Sequence, residues 1–173
     1  MKIEVLSEYG YNEALLGISL SRDQPLGNMS KVAQSLCDRD GGHNKFLEFI
    51  AVWIDITAPR FWWQQMATYR IGNSFQSQST MYTLTKNKLT QQNFEYNIEE
   101  NYLNYLNNLI ESRGLIKVKN LLPEGFLQRR IMFTNYKSLR TIYHQRHNHK
   151  LPQWKTFCSG VSTQLDYPLF ILQ

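Results

Sequence analysis

The stretch Ala58 to Tyr82 reads APRFWWQQMATYRIGNSFQSQSTMY and gathers Gln65, Arg70, Asn73, Gln76, Gln78 and several serines, Ser79 among them, into one short run. A guanidinium can grip a phosphate or a pair of carbonyl oxygens with two parallel hydrogen bonds, and amides and hydroxyls complete such a site. Polar segments presented by rigid elements are where ligand chemistry usually sits. Other chemistry is thinly supported. Cys37 lies on an apolar helix face and Cys158 has no histidine set against it, so neither reads as a nucleophile. His144, His147 and His149 are joined by no cysteine or carboxylate at ligand spacing, so no metal is expected.

The same stretch resembles the flavin-dependent thymidylate synthase family, whose signature is Arg-His-Arg, seven or eight residues, then Ser. Here Thr68-Tyr69-Arg70 is followed by eight residues and Ser79. Ala58-Pro59, Phe61, Gln65, Ile71, Ser74-Phe75 and Tyr82 also fall where the family has the same or a similar residue. A second block, Leu122-Pro123, Arg129, Asn135, Ser138-Leu139, Arg146 and Gln153-Trp154, is similar to the family's LP, R, N-x-R-S-L, L-x-L-R and QW positions. A third, Gly42-His43-Asn44 with Leu47-Glu48-Phe49-Ile50, resembles its G-H-E and F-E-H-I. Together the blocks run from about Ser30 to Trp154.

The resemblance implies an α+β fold, an antiparallel sheet flanked by helices, in a single domain over residues 1–173 that assembles as a homotetramer. It implies transfer of a one-carbon unit from methylenetetrahydrofolate to carbon 5 of a pyrimidine deoxynucleotide, dUMP to dTMP or a related conversion. FAD is the implied cofactor and NADPH the implied reductant. Position by position, Gln65, Arg70, Ser79, Arg129 and Arg146 would bind the nucleotide, with Arg70 and Ser79 closest to catalysis. His43, Asn44, Tyr69, Asn135 and Thr141 would face the flavin. Because the cofactor carries the hard chemistry, the protein's task is to hold ligands in register.

Four positions depart from the signature: Thr68 and Tyr69 replace Arg and His, Ser77 replaces an acidic residue, and Met81 replaces an Arg. A hydrogen bond to a charged group contributes roughly 1.5–3 kcal/mol, so two lost arginines weaken phosphate binding unless Arg60, Lys86 or Lys88 compensates. The readings are a working enzyme, a relative acting on another pyrimidine nucleotide, and a nucleotide- or flavin-binding homologue without catalysis.

Several elements must position these residues. Lys2 to Leu6 reads as a strand, and Met29 to Asp40 as a helix with Val32, Ala33, Leu36 and Cys37 on one face. Ile50, Val52, Ile54 and Ile56 alternate with Phe49, Ala51, Trp53 and Asp55, which predicts a strand over Leu47–Thr57. Pro59 suits a helix start and Gly72 a helix stop, predicting a helix from Pro59 to Ile71. Helical spacing also marks Ile98–Arg113 and Asn135–His147, and Thr83–Asn93 reads as a mobile loop.

A chain of 173 residues can bury a real core. With two cysteines, no signal peptide and no apolar run that would cross a membrane, a reduced cytoplasmic protein is expected. The net charge is +5, and between Arg113 and Lys155 ten basic residues face Glu124 alone, which calls for an anionic partner. Interleaved Phe126, Phe133, Tyr136, Tyr143 and Trp154 raise nucleic-acid binding as a lesser alternative, without any recognised nucleic-acid motif.

Overall fold

The computed structural model describes every residue, Met1–Gln173. Strand β1 (Lys2–Tyr9) leads into helices α1 (Tyr11–Arg22) and α2 (Met29–Leu36), strand β2 (Ala51–Pro59) and helix α3 (Arg60–Met66). Strand β3 (Ser74–Ser77) follows, then helices α4 (Thr80–Thr83), α5 (Glu100–Glu111) and α6 (Leu115–Leu121). Strand β4 (Leu127–Asn135) and helices α7 (Tyr136–Arg146), α8 (Pro152–Ser162) and α9 (Leu169–Leu172) complete the chain.

The strands form one sheet in the order β1-β2-β4-β3. At one end of the β2/β4 pair the Tyr136 N–H donates to the Ile50 carbonyl; at the other the Arg60 N–H donates to the Phe126 carbonyl, both at 3.1 Å, so the two strands run antiparallel. Strand β3 is antiparallel to β4 as well: the Gln78 N–H meets the Arg129 carbonyl at 2.9 Å, and Thr134 meets Asn73 at the opposite end. The architecture is the α+β one that the sequence implies. Strand β2 buries Val52, Ile54, Ile56 and Ala58 while the alternate residues stay half-buried, as period-two patterning requires.

The chain divides into two compact units that interleave along the sequence. One comprises Met1–Lys2, Ile56–Thr68 and Gln76–Arg130. Its core gathers Leu84, Leu89, Phe94, Leu103, Leu106, Val118, Leu122 and Phe126. Within it the Trp63 indole N–H donates to the Gln128 carbonyl at 2.9 Å, and the Arg130 guanidinium lies 4.5 Å over the Trp63 ring. The other unit comprises Ile3–Asp55, Tyr69–Phe75 and Ile131–Gln173. Helix α7 is its spine: Leu139 and Ile142 are buried, and α7 packs against both α8 and α9. Fully burying a side chain such as Trp154, Tyr136 or Phe157 stabilises by about 1.5–3 kcal/mol each.

Several element bounds differ from the expectations. The helix expected over Pro59–Ile71 stops at Met66, because the Thr68 N–H (3.2 Å) and hydroxyl (2.7 Å) both turn back onto the Gln65 carbonyl. Gly72 still takes a positive φ of 72°, but in a separate turn rather than at a helix end. The strand expected from Leu47 starts at Ala51, since Lys45–Phe49 is a 3₁₀ turn that buries Phe46 and Leu47 side by side. A strand would have sent these neighbours to opposite faces. Helix α2 ends at Leu36, short of the expected Asp40, where the Asn44 side chain takes the Cys37 carbonyl at 3.0 Å. Helix α5 loses Ile98 because its N–H is captured by the Gln91 side chain at 2.9 Å. Within Thr83–Asn93, Leu84 and Leu89 are buried, and the Asn107 side chain brackets both backbone groups of Leu89 at 2.8 and 3.0 Å. That segment is anchored at both positions by burial and hydrogen bonding, which the count of its polar residues conceals.

Candidate functional site

Helix α7 begins at Asn135, whose side-chain oxygen accepts the Ser138 N–H at 2.9 Å. This N-cap satisfies a donor that the helix cannot. The Asn135 amide nitrogen makes no hydrogen bond within the chain. Against the cap sits the turn Tyr69–Asn73: the Ser138 hydroxyl donates to the Ile71 carbonyl at 2.9 Å. A Cβ on Gly72 would meet Ser138 Oγ at 2.5 Å and Asn135 Nδ2 at 2.8 Å, so only glycine fits there. Asn73 ties the turn off, donating to the carbonyls of Tyr69 (3.1 Å) and Ile71 (3.2 Å) while its oxygen accepts the Thr134 hydroxyl at 2.6 Å.

At the far end of α7, Arg146 meets this turn. Its Nε–H donates to the Tyr69 hydroxyl at 2.8 Å, and the hydroxyl donates to Gln145 Oε1 at 2.9 Å. The guanidinium carbon lies 4.9 Å from the Trp154 ring centroid and 5.5 Å from that of Tyr69. These two rings meet edge-to-face, tilted 72° with centroids 6.0 Å apart. Trp154 is fully buried near the start of α8 and Arg146 half-buried. Nη1 and Nη2 of Arg146 bond nothing within the chain, so the outer edge of the guanidinium is available to a ligand. Arg70, next to Tyr69, is exposed and its guanidinium bonds no residue of the chain.

The remaining expected residues divide between the units. In the second unit, His43 is exposed beside Gly41 and Gly42, both at positive φ, and borders a groove of about 320 Å³ with Gly17, Ile18 and Phe49. Asn44 is buried: its amide donates to the Cys37 carbonyl (3.0 Å) and to Asp40 (3.3 Å), and its oxygen accepts from Lys137. The physical role on view is to hold the loop that carries His43. The Asn44 hydrogen bond, followed by that of Lys137, holds the Asp40 carboxyl below its ordinary range. Thr141 is exposed and its hydroxyl donates back to the Lys137 carbonyl at 3.1 Å.

In the first unit, Gln65 is half-buried on α3, Ser79 sits exposed just before α4 with its carbonyl receiving the Tyr82 and Thr83 N–H groups, and Arg129 is exposed on β4. Of the candidate replacements for the missing arginines, Arg60 is engaged with the Leu122 carbonyl (3.1 Å) and Glu124 (3.6 Å). Lys88 pairs with Glu111 at 2.7 Å. Lys86 alone carries an unengaged charge, beside a cavity of about 290 Å³ lined also by Gln78 and Asn87.

Tyr69, Asn135 and Arg146 are therefore brought together around one turn. The sequence did not single out Gln145, placed Gly72 only as a helix stop and Asn73 only within a polar run, and gave Trp154 no place beside Arg146. An aromatic eight residues after an arginine, across a helix break at Pro152, was the available signal for Trp154. The histidines serve locally: His147 Nδ1 meets the Tyr143 carbonyl at 2.9 Å, His149 Nδ1 accepts the Leu151 N–H at 3.1 Å, and His144 Nε2 meets the Gln173 carbonyl at 2.9 Å. Phe126, Tyr136 and Trp154, offered as possible base-stacking aromatics, are core residues. No helix is long and apolar enough to cross a membrane.

The fold is shared with solved proteins. A crystal structure of the flavin-dependent thymidylate synthase ThyX from Helicobacter pylori complexed with FAD and dUMP matches at a TM-score of 0.82 and 15% identity, over 99% of this chain and 98% of that one. A second ThyX structure from the same organism, also with FAD and dUMP, matches at 0.83 and 15%, over 100% and 98%. No curated protein matches the sequence. The family model described as thymidylate synthase complementing protein matches residues 9–157, a span that contains the Tyr69 turn, the Asn135 cap and the Arg146 notch. The chain belongs to the thymidylate synthase complementing protein family.

Proposed function

We propose that this protein is an FAD-dependent thymidylate synthase, which transfers a one-carbon unit from methylenetetrahydrofolate to carbon 5 of dUMP or a close pyrimidine relative. The observation that carries this reading is the Arg146 notch: a guanidinium fixed by two aromatic rings and one hydroxyl, with its two-nitrogen edge left for a planar ligand bearing carbonyl oxygens. Family membership and the fold shared with the ThyX structures support it.

Arg146 would read the pyrimidine, while Arg70, Arg129, Gln65 and Ser79 would take the remaining hydrogen bonds of the nucleotide. Of Arg60, Lys86 and Lys88, Lys86, which borders the cavity with Gln78 and Asn87, would make up for charge lost at Thr68 and Met81, since the other two are engaged with Glu124 and Glu111. The donors present also fit FAD. Asn135 has its oxygen committed to the α7 cap and its NH₂ unspent, which suits the carbonyl-rich edge of a flavin. His43 is exposed with an unengaged ring, and Thr141 keeps hydroxyl lone pairs after donating to Lys137. When bound, reduced FAD supplies the hydride that turns the transferred methylene into a methyl group. The chain's own work is orientation: guanidinium groups hold the pyrimidine and its phosphate while Asn135, His43 and Thr141 hold the cofactor beside it.

The same reading makes the protein a cytoplasmic homotetramer working as one domain, with sites completed by neighbouring copies. The exposed Arg70 and Ile71, the latter 92% accessible, support a site left open on the isolated chain. Titration with FAD, followed by absorbance and flavin fluorescence with and without dUMP, tests the proposal. Saturable FAD binding that dUMP perturbs, followed by dTMP formation with methylenetetrahydrofolate and NADPH, is expected. Binding of neither ligand would overturn it.

A further inference from the structure

We infer that Tyr69 is a positioning residue for Arg146: with Gln145 and the face of Trp154 it converts a flexible guanidinium into a fork that presents only Nη1 and Nη2, and so sets the preference for a dioxopyrimidine. The inference rests on the pyrimidine-nucleotide reading above and adds to it the group that governs base selection.

An arginine carries five N–H donors and a long, freely rotating stem. Left alone, Arg146 can approach a ligand through Nε with one Nη or through both Nη atoms, and each approach accepts a different arrangement of acceptors. Here Nε–H is committed to the Tyr69 hydroxyl at 2.8 Å. The hydroxyl hydrogen is itself committed to Gln145 Oε1 at 2.9 Å, so toward Arg146 the hydroxyl acts only as an acceptor. Such a relay strengthens each member. The two rings, 4.9 Å and 5.5 Å from the guanidinium carbon and steeply inclined to each other, restrict rotation of the guanidinium plane. Tyr69 is in turn held by the Asn73 amide on its carbonyl at 3.1 Å, and Asn73 by Thr134 at 2.6 Å. Through Asn73 the relay therefore reaches strand β4, while its other arm ends on the exposed side chain of Gln145.

Only N–H hydrogens face the ligand across this edge. Where the fork meets position 4 of the ring, a carbonyl oxygen accepts from it, whereas an exocyclic amine there sets hydrogen against hydrogen. Removing the Tyr69 hydroxyl frees Nε–H and lets the guanidinium turn, so selectivity should fall together with affinity.

The test uses the full-length protein with saturating FAD and compares wild type, Tyr69→Phe and Tyr69→His. Calorimetric titrations measure dUMP and dCMP binding, and nitrogen-edited NMR follows the Arg146 Nε–H signal, assigned by its loss in Arg146→Lys. We expect Tyr69→Phe to melt within about 2 °C of wild type and to bind dUMP about tenfold more weakly. Its preference for dUMP over dCMP should narrow, and the slowly exchanging Nε–H signal should disappear. Tyr69→His, whose ring nitrogen can accept Nε–H, should restore part of the preference. A Tyr69→Phe protein with wild-type affinity and preference, or one that retains the Nε–H signal, overturns the inference. If the wild type binds neither nucleotide, the proposed function fails, and the Nε–H signal still decides the role of Tyr69: retained in Tyr69→Phe it refutes positioning, lost it upholds it.

Discussion

Arg146 Nε donates to the hydroxyl of Tyr69 at 2.8 Å, across 77 positions of sequence, and the ring of Tyr69 lies under the same guanidinium at 5.5 Å. One residue therefore supplies both a hydrogen-bond acceptor and an aromatic face to a cation that would otherwise sweep solvent. The helix that carries Arg146 and the turn that carries Tyr69 are joined a second time at Asn135 and Ser138, so the pair is fixed at both ends of α7.

Arg146→Ala should abolish detectable dUMP binding, a loss of at least a hundredfold if two charged hydrogen bonds of roughly 1.5–3 kcal/mol each are removed. Stability should fall by only about 1 kcal/mol, from the lost cation–π contacts. Calorimetric titration and a thermal melt measure the two separately. Wild-type binding by the mutant would remove Arg146 from the site.

Gly72→Ala should destabilise by about 1–3 kcal/mol, because alanine resists a φ of 72° and its Cβ would sit 2.5 Å from Ser138 Oγ. Urea unfolding monitored by tryptophan fluorescence measures this. An unchanged midpoint would mean that the turn is not held against α7 as described.

Asn135→Ala should cost about 1 kcal/mol through loss of the α7 cap, while Asn135→Asp keeps the cap and most of the stability. If Asn135 also offers its NH₂ to FAD, both variants should lose flavin affinity. Stability that separates the two variants, with flavin binding that does not, is the expected pattern in paired unfolding and fluorescence titrations.

Glu8 has its carboxyl raised above the ordinary value of 4.5, chiefly by burial, with the nearby Asp166 charge acting in the same direction. Hydrogen bonds from the Tyr136 hydroxyl and the Asp166 N–H oppose the shift without cancelling it. The folded protein thus holds this proton more tightly than the unfolded chain. Its contribution to stability is full below pH 4.5 and is lost as pH rises through the higher folded value. Across pH 4 to 7, the stability difference between wild type and Glu8→Gln should shift in favour of the mutant as pH rises. A difference independent of pH contradicts this.

Thr68→Arg combined with Met81→Arg should tighten dUMP binding by about tenfold or more, since each restored arginine can add a charged hydrogen bond. Both positions are exposed, and Thr68→Arg gives up one hydroxyl bond to the Gln65 carbonyl, so stability should fall by only about 1 kcal/mol. No gain in affinity would show that phosphate binding has been rebuilt on other groups, with Lys86→Ala the next variant to titrate.

Local pattern carried much of this protein. Alternating β-branched residues announced β2, helical spacing announced α5 and α7, and short-range motif blocks announced the family. These signals survive because burial on one face constrains residues two, three or four apart, and such spacing is written directly in the chain. Element ends were less legible, because they were decided by side chains acting over intermediate range. Gln91 captures Ile98, Asn44 captures Cys37, and Thr68 turns back on Gln65.

The site itself was legible as a list and not as an arrangement. Residue type marked Arg146, Tyr69 and Asn135 as polar groups in recognisable blocks, but nothing in their spacing indicates that Tyr69 abuts Arg146 or that Trp154 roofs it. Nor does spacing separate Arg70, left with an unengaged guanidinium, from Arg60, whose charge is committed to Glu124. Sequence by itself determined the elements and the donor inventory, because propensity and periodicity are local. Which donors remain for a ligand was decided only when folding brought residues about eighty positions apart into contact, because a hydrogen bond consumed inside the chain is unavailable outside it.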